Sequence, residues 1–289
     1  GKVFWMRVYE IPEGGKNTKG RAMQNLINIE QDDKVKAFLV TQDLKDEAYI
    51  NSHYVIMATK KGQVKKTSLE QYSRPRTNGI NAITIKEGDE LLEAKLTTGD
   101  SQVMLALKSG KSIRFEEAKT RPMGRTASGV RGITLQHEKD EVIGMVAVND
   151  MDSNILVVSE KGYGKRSKLE DYRITNRGGK GVKTLNISEK TGDLVAIKNV
   201  DDSNDLMIIN RSGLTIRMAV EDLRVMGRAT QGVRLINIKD NDSIAAVAKV
   251  GHEEEVPEDL EGEIENDTEI GNESSEPHSA EEDSSENDE

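Results

Sequence analysis

An all-β, propeller-like array of about five four-stranded blades, the first one incomplete, followed by a disordered acidic tail, is what the sequence predicts. Three observations carry that expectation. A glycine closing an apolar run recurs about every fifty residues, a second glycine follows it at a nearly constant offset, and the charge of the 289-residue chain, formally −10, separates into two opposing parts. Residues 251–289 hold 18 Asp and Glu and no Lys or Arg, which leaves 33 acids against 41 bases, or +8, in residues 1–250.

The first glycine stands at Gly62, Gly110, Gly162 and Gly213, after the runs Tyr54-Val55-Ile56-Met57-Ala58, Val103-Met104-Leu105-Ala106-Leu107, Ile155-Leu156-Val157-Val158 and Leu206-Met207-Ile208-Ile209. Gly1 fits the same slot without its run, and the intervals are 61, 48, 52 and 51 residues, the longest carrying an insertion around Gln42–His53. Self-similarity at this period marks propeller-type arrays, in which one unit cannot cover its own hydrophobic face. The second glycine, at Gly20, Gly79, Gly129, Gly181 and Gly232, follows the first by 19, 17, 19, 19 and 19 residues. After it, Ile83-Thr84-Ile85, Ile133-Thr134-Leu135, Leu185-Asn186-Ile187 and Ile236-Asn237-Ile238 alternate as half-buried strands do. An acidic turn and a closing apolar run such as Val142–Val148 complete each unit, with a helical turn expected near Leu69–Tyr72 and Leu169–Tyr172. The repeats are therefore placed near 1–53, 54–102, 103–153, 154–204 and 205–250, with a tail at 251–289. The tail's low hydrophobicity and high charge cannot offset chain entropy, so it is expected to be disordered, as a solubiliser or as a competitor of nucleic acid for the basic body.

Composition excludes several classes. Without Cys there are no disulfides or thiolate–zinc sites, and no stretch approaches the roughly 18 unbroken apolar residues of a membrane helix. The start Gly1-Lys2-Val3-Phe4-Trp5 lacks both an initiator Met and a signal-peptide layout, which predicts a fragment of a longer cytoplasmic protein. His53, His137, His252 and His278 have no Ser or Cys motif beside them, so no catalytic residues and no metal site are expected. Asp150-Met151-Asp152-Ser153-Asn154 begins like a calcium loop, but Ile155 replaces the required Gly and Lys161 the Glu, so it reads as a polar inter-blade loop.

The cations keep the repeat. Four residues past the first glycine lie Lys66, Arg114, Arg166 and Arg217, with Trp5 the exception; four before the second lie Lys16, Arg125, Arg177 and Arg228, bracketed in the shorter second repeat by Arg74 and Arg76. Arg21, Arg131, Lys180, Lys183 and Arg234 stand next to that glycine. Recurrence once per blade predicts a cationic stripe able to neutralise phosphates along a curved duplex. Ten aromatics in the whole chain are too few to stack a single strand, so duplex binding by backbone contact and bending is the expectation.

Four segments together resemble the C-terminal DNA-wrapping domain of the DNA gyrase A protein, the β-pinwheel of type IIA topoisomerases: Val64-Lys65-Lys66-Thr67, Met123–Ile133, Gly162-Tyr163-Gly164-Lys165-Arg166 and Val225–Val233. The family's GyrA-box, Gln-Arg-Arg-Gly-Gly-Lys-Gly, has its nearest match at Arg177-Gly178-Gly179-Lys180-Gly181, with Thr175 and Asn176 in place of Gln and Arg. By that resemblance the Gly pair lets the backbone approach phosphate while Arg177, Lys180 and Lys183 supply charge, and Lys165 joins the DNA-binding set. The implied function is non-catalytic: binding and right-handed wrapping of double-stranded DNA, largely independent of sequence, so that the parent enzyme introduces negative supercoils. The implied partners are the gyrase A core and the gyrase B protein in a heterotetramer, in the bacterial cytoplasm at the nucleoid, with ATP and Mg needed only by the parent enzyme. Fewer blades and a degenerate box also describe the C-terminal domain of the corresponding topoisomerase IV protein, and a protein-binding propeller is the remaining alternative.

Overall fold

Each first glycine closes a tight hairpin. The Gly62, Gly110, Gly162 and Gly213 amides donate to the carbonyls of Thr59, Leu107, Ser159 and Asn210 three residues back, at 2.9–3.2 Å, and all four glycines have φ between 77° and 89°. The computed structural model describes residues 1–14, 18–30, 32–239 and 242–252. The first repeat supplies β1 (Lys2–Val3) and α1 (Glu47–Ser52), and the second β2 (Tyr54–Thr59), β3 (Gln63–Ser68), β4 (Ile80–Asn81) and β5 (Leu91–Thr97). The third contains β6 (Gln102–Leu107), β7 (Lys111–Glu116), β8 (Val130–Arg131) and β9 (Val142–Val148). The fourth contains β10 (Asn154–Ser159), β11 (Tyr163–Lys168), β12 (Val182–Lys183) and β13 (Leu194–Val200), and the fifth β14 (Asn204–Asn210), β15 (Thr215–Ala219), β16 (Val233–Arg234) and β17 (Ile244–Gly251). Gly1–Gly251 is one compact unit; the other, His252–Glu289, is described only at His252, so the expectation of disorder in the tail lies outside the described residues from 253 onward.

All pairing is antiparallel between named strands, and the apolar run is always the middle strand: β2 between β3 and β5, β6 between β7 and β9, β10 between β11 and β13, β14 between β15 and β17. The short third strand does not pair within its own repeat. β4 pairs with β1, β8 with β3, β12 with β7 and β16 with β11, so each repeat after the first lends two residues to the sheet before it. This corrects the strands expected at Ile83–Ile85 and its counterparts: the ladder lies two or three residues earlier, and the alternating segment crosses between sheets. That segment is held because the amides of Ala82, Gly132, Thr184 and Leu235 donate to the carbonyls of Gly1, Gly62, Gly110 and Gly162 at 2.8–3.0 Å.

The core lies between neighbouring sheets. Along β6, Val103, Leu105 and Leu107 pack with Ile56, Ala58 and Val64 of the second repeat, while Met104 and Ala106 pack with Ile155 and Val157 of the fourth. A strand buried on both faces needs an unbroken apolar run, which is why these runs do not alternate. At about 1.5–3 kcal/mol for each large aliphatic side chain, such burial joins the repeats into one array. The Gln42–His53 insertion holds α1, started by Asp46, whose Oδ1 accepts from the Ala48 and Tyr49 amides. Its Tyr49 and Ile50 are buried against Leu69 and Tyr72 of the 3₁₀ turn Leu69–Tyr72; a second 3₁₀ turn spans Leu169–Asp171. In the first repeat Val8, Tyr9, Phe38 and Val40 stay exposed.

Candidate nucleic-acid interface

The register four residues past the first glycine turns inward. Lys66, Arg114 and Arg166 retain only 4%, 7% and 8% of their exposure, so the expectation that they line a surface stripe is corrected. Buried charge requires bonded partners, and each finds at least one of them in the following repeat. Lys66 Nζ meets Glu117 Oε1 at 2.9 Å and donates to the Gly99 carbonyl at 3.1 Å. Arg114 Nη1 donates to the Leu169 and Tyr172 carbonyls at 2.6 and 2.9 Å, and its Nε to Gln102 Oε1. Arg166 donates to the Leu223 carbonyl and to Asp202. Arg217 is more open, its Nε bonded to Asp205 Oδ2 at 2.7 Å.

One residue earlier, Lys65 and Lys165 are deeper still. Lys165 Nζ donates to the Gly227 carbonyl at 2.6 Å and to Thr230 Oγ1 at 3.0 Å, so this residue too leaves the expected surface set. Lys65, whose place in the sequence gives no sign of this role, donates to the carbonyls of Ala82 and Arg125. Burial pulls both ammonium groups down to a pKa of about 8, with Arg125 and Arg228 repelling Lys65 and Lys165 respectively. These inward cations tie one repeat to the loop of the next.

The loops before the second glycine carry the outward cations. Arg74, Arg76, Lys180, Arg131, Lys183 and Arg234 are exposed, and Arg125, Arg177 and Arg228 are half-buried. Three more side chains, of Arg121, Arg173 and Arg224, are exposed and hold no hydrogen bond or ion pair among the described residues. They stand eight residues before Gly129, Gly181 and Gly232, a third cation register at the same repeat period. Arg21 is also exposed, and Lys16 lies outside the described residues.

The outward set runs on from blade to blade. Arg177 Nη1 donates to the Arg131 carbonyl at 3.1 Å and its Nε to the Lys119 carbonyl at 3.0 Å, while Arg228 Nη1 donates to the Lys183 carbonyl at 2.8 Å. Each of these two loop arginines thus rests on the backbone of the preceding repeat's short-strand cation. In the box-like loop, Gly178 has φ +84° and donates to the Gly132 carbonyl at 2.6 Å. Gly181 has φ +71°, and a Cβ there would lie 2.5 Å from the Ser112 carbonyl oxygen, so only glycine brings the loop this close. Gly179 is exposed between them, beside Lys180. The arrangement presents guanidinium and ammonium donors on a rigid backbone, suited to phosphate oxygens. No exposed aromatic lies in these loops; the described exposed aromatics, Tyr9 and Phe38, belong to the first repeat.

Asp150–Ser153 forms a turn closed on itself, with the Asp152 amide on Asp150 Oδ1 and the Ser153 hydroxyl on the Asp150 carbonyl. Among the described residues no three His, Cys, Asp or Glu are grouped to hold a metal, and no helix is long and apolar enough to cross a membrane.

Comparison with known proteins places this geometry. The family described as DNA gyrase C-terminal domain, beta-propeller, matches residues 1–42, 53–98, 103–149, 153–201 and 204–250. The DNA gyrase A protein of Staphylococcus epidermidis (strain ATCC 12228 / FDA PCI 1200) is 42% identical over 256 residues, covering 88% of this chain and 28% of that protein. Its counterpart in Staphylococcus aureus (strain NCTC 8325 / PS 47) is similar to the same extent. This chain therefore spans little more than a quarter of these relatives. Among solved structures, the C-terminal domain of DNA topoisomerase IV superposes with TM-score 0.79 at 24% identity, covering 93% of this chain and 81% of that one. A DNA gyrase A C-terminal domain gives TM-score 0.73 at 23% identity, covering 86% and 79%; both likenesses concern the fold alone. With five matched repeats and a relative at 42% identity, the chain belongs to the DNA gyrase C-terminal domain family and has its β-pinwheel fold.

Proposed function

We propose that residues 1–251 bind duplex DNA along the outward cations and wrap it in a right-handed sense, as the DNA-wrapping part of a DNA gyrase A protein. The observation that carries this reading is register. Exposed or half-exposed cations recur eight and four residues before the second glycine and two after it in three successive repeats. The Arg177–Arg131 and Arg228–Lys183 bonds link them across repeat boundaries. Such a row neutralises successive phosphates and releases their counterions, which supplies affinity without reading bases. Sequence preference then arises from how easily a given duplex bends.

Identity of 42% to gyrase A proteins favours gyrase over topoisomerase IV as the parent. In that enzyme, strand breakage and ATP hydrolysis with Mg belong to the gyrase A core and to the gyrase B protein, assembled as a heterotetramer in the cytoplasm at the nucleoid. The role of this chain is to set the path of the DNA segment so that strand passage yields negative supercoils. Titrating the chain with duplex DNA across a range of salt tests the binding step. With about 8 phosphates neutralised, log affinity falls against log salt with a slope of about −7. A slope near zero, or tighter binding of single strands than of duplex, would rule the reading out.

A further inference from the structure

The outward cations are interrupted once per repeat by an exposed apolar side chain. Pro122, Ile174 and Val225 stand seven residues before Gly129, Gly181 and Gly232. All three are exposed, Ile174 to 47% and Val225 to 45%. Each directly follows an exposed arginine and precedes a half-buried one by three residues, giving Arg121-Pro122-Met123-Gly124-Arg125, Arg173-Ile174-Thr175-Asn176-Arg177 and Arg224-Val225-Met226-Gly227-Arg228. Singly exposed aliphatic residues are ordinary on protein surfaces. Three in the same register, each between two arginines, are not accounted for by chance exposure.

The backbone beneath them is fixed. Pro122, Ile174 and Val225 sit opposite Lys66, Arg114 and Arg166 in isolated parallel bridges. In each case the next amide, of Met123, Thr175 or Met226, donates to the carbonyl of that buried cation at 2.8 Å. The Arg114 and Arg166 guanidinium groups hold the same loops from beneath, through the Tyr172 and Leu223 carbonyls. The inward cations therefore hold an apolar side chain outward on a rigid support. Proline's ring and the β-branched chains of Ile and Val add stiffness of their own.

We propose that Pro122, Ile174 and Val225 are wedges that enter base steps of the bound duplex and concentrate its bend at each blade; this rests on the DNA-binding reading above. Flanking arginines on phosphates with an apolar side chain between them is the chemistry that partly unstacks a step and kinks the helix. The cost is smallest at pyrimidine–purine steps, so the wedges favour flexible TA or CA steps spaced by the blade repeat, with no base hydrogen-bonded. In the shorter second loop, Pro75 is likewise exposed between Arg74 and Arg76.

The test compares the full chain with the triple variant Pro122→Ser, Ile174→Ser, Val225→Ser and with the conservative Ile174→Leu. The probes are duplexes carrying 2-aminopurine at TA steps and a donor–acceptor dye pair at their ends. The unsubstituted chain and Ile174→Leu are expected to raise 2-aminopurine fluorescence and bring the ends together. The triple variant loses the fluorescence rise and most of the end-to-end approach, and affinity weakens about tenfold with the salt slope unchanged. Salt-dependent binding by the unsubstituted chain without any fluorescence rise overturns the wedges and leaves the DNA-binding reading standing. Absence of duplex binding overturns both. A triple variant that bends DNA normally but no longer associates with itself or with a protein assigns the row to protein contacts and overturns the proposal.

Discussion

Arg114 and Arg173 are both arginines kept at the repeat period, and the structure gives them opposite work. Arg114 is buried and bonded to two carbonyls of the next repeat, while the Arg173 side chain is exposed and unpaired among the described residues. Arg114→Ala leaves those carbonyls without their donor in a closed space and is expected to cost about 3 kcal/mol of stability, read from chemical unfolding. Its salt slope for DNA should stay unchanged. Arg173→Ala should leave the unfolding midpoint where it is and reduce the salt slope by about 1. The exposed Lys45 and Lys139, which lie off the repeat pattern, serve as controls. An affinity loss from Lys139→Ala equal to that from Arg173→Ala would deny the loops any special place. At this scale the sequence was half legible. It displays the period of Lys66, Arg114 and Arg166 as plainly as that of Arg121, Arg173 and Arg224. Which register faces water depends on the neighbouring repeat, and a strand's alternation does not say which of two buried faces a long cation will cross.

Gly110 and Gly213 occupy the same hairpin position with the same positive φ, of 80° and 89°, and differ in what lies outside the turn. A Cβ on Gly110 would meet Ile187 Cγ1 at 2.5 Å and the Leu185 carbonyl oxygen at 2.8 Å, whereas at Gly213 nothing lies within 4 Å. Gly213→Ala should therefore cost only the left-handed backbone penalty of about 1–2 kcal/mol. Gly110→Ala carries the same penalty plus the displacement of the crossing segment, for a total of about 3–5 kcal/mol in urea unfolding. Equal losses at the two positions would mean that the contact between repeats carries no weight. The hairpins, the middle strands and the 3₁₀ turn at Leu69–Tyr72 were readable because they depend on local signals: an apolar run, a turn glycine, a short polar break. The exchange of β4, β8, β12 and β16 into the preceding sheet was not. Val130–Arg131 reads as a strand edge in any sequence window, and its partner β3 lies more than sixty residues away. The helix α1 was hidden for a related reason. Its six residues are too few to show a period, and Asp46 as its cap is a single-residue signal.

At the scale of the whole chain the opposing charges are the leading fact: +8 in residues 1–250 and 18 acids with no bases in residues 251–289. Tethered acids raise the local concentration of negative charge near any basic surface on the same chain, an effect that salt screens. Removing residues 252–289 is accordingly expected to tighten duplex binding several-fold at about 0.05 M salt and to change it little at about 0.3 M. Unchanged affinity at low salt would leave the tail with no part in DNA binding. The proposed wrapping draws on the array, because the outward cations are spread over three successive repeats. The central claim is that this row sets a right-handed path. Its most direct measurement is the linking number of a nicked circle ligated in the presence of the full chain and then deproteinised. A positive shift that grows with protein concentration and saturates is the expected result; an unchanged or negative linking number at concentrations where the DNA is fully bound would contradict the account.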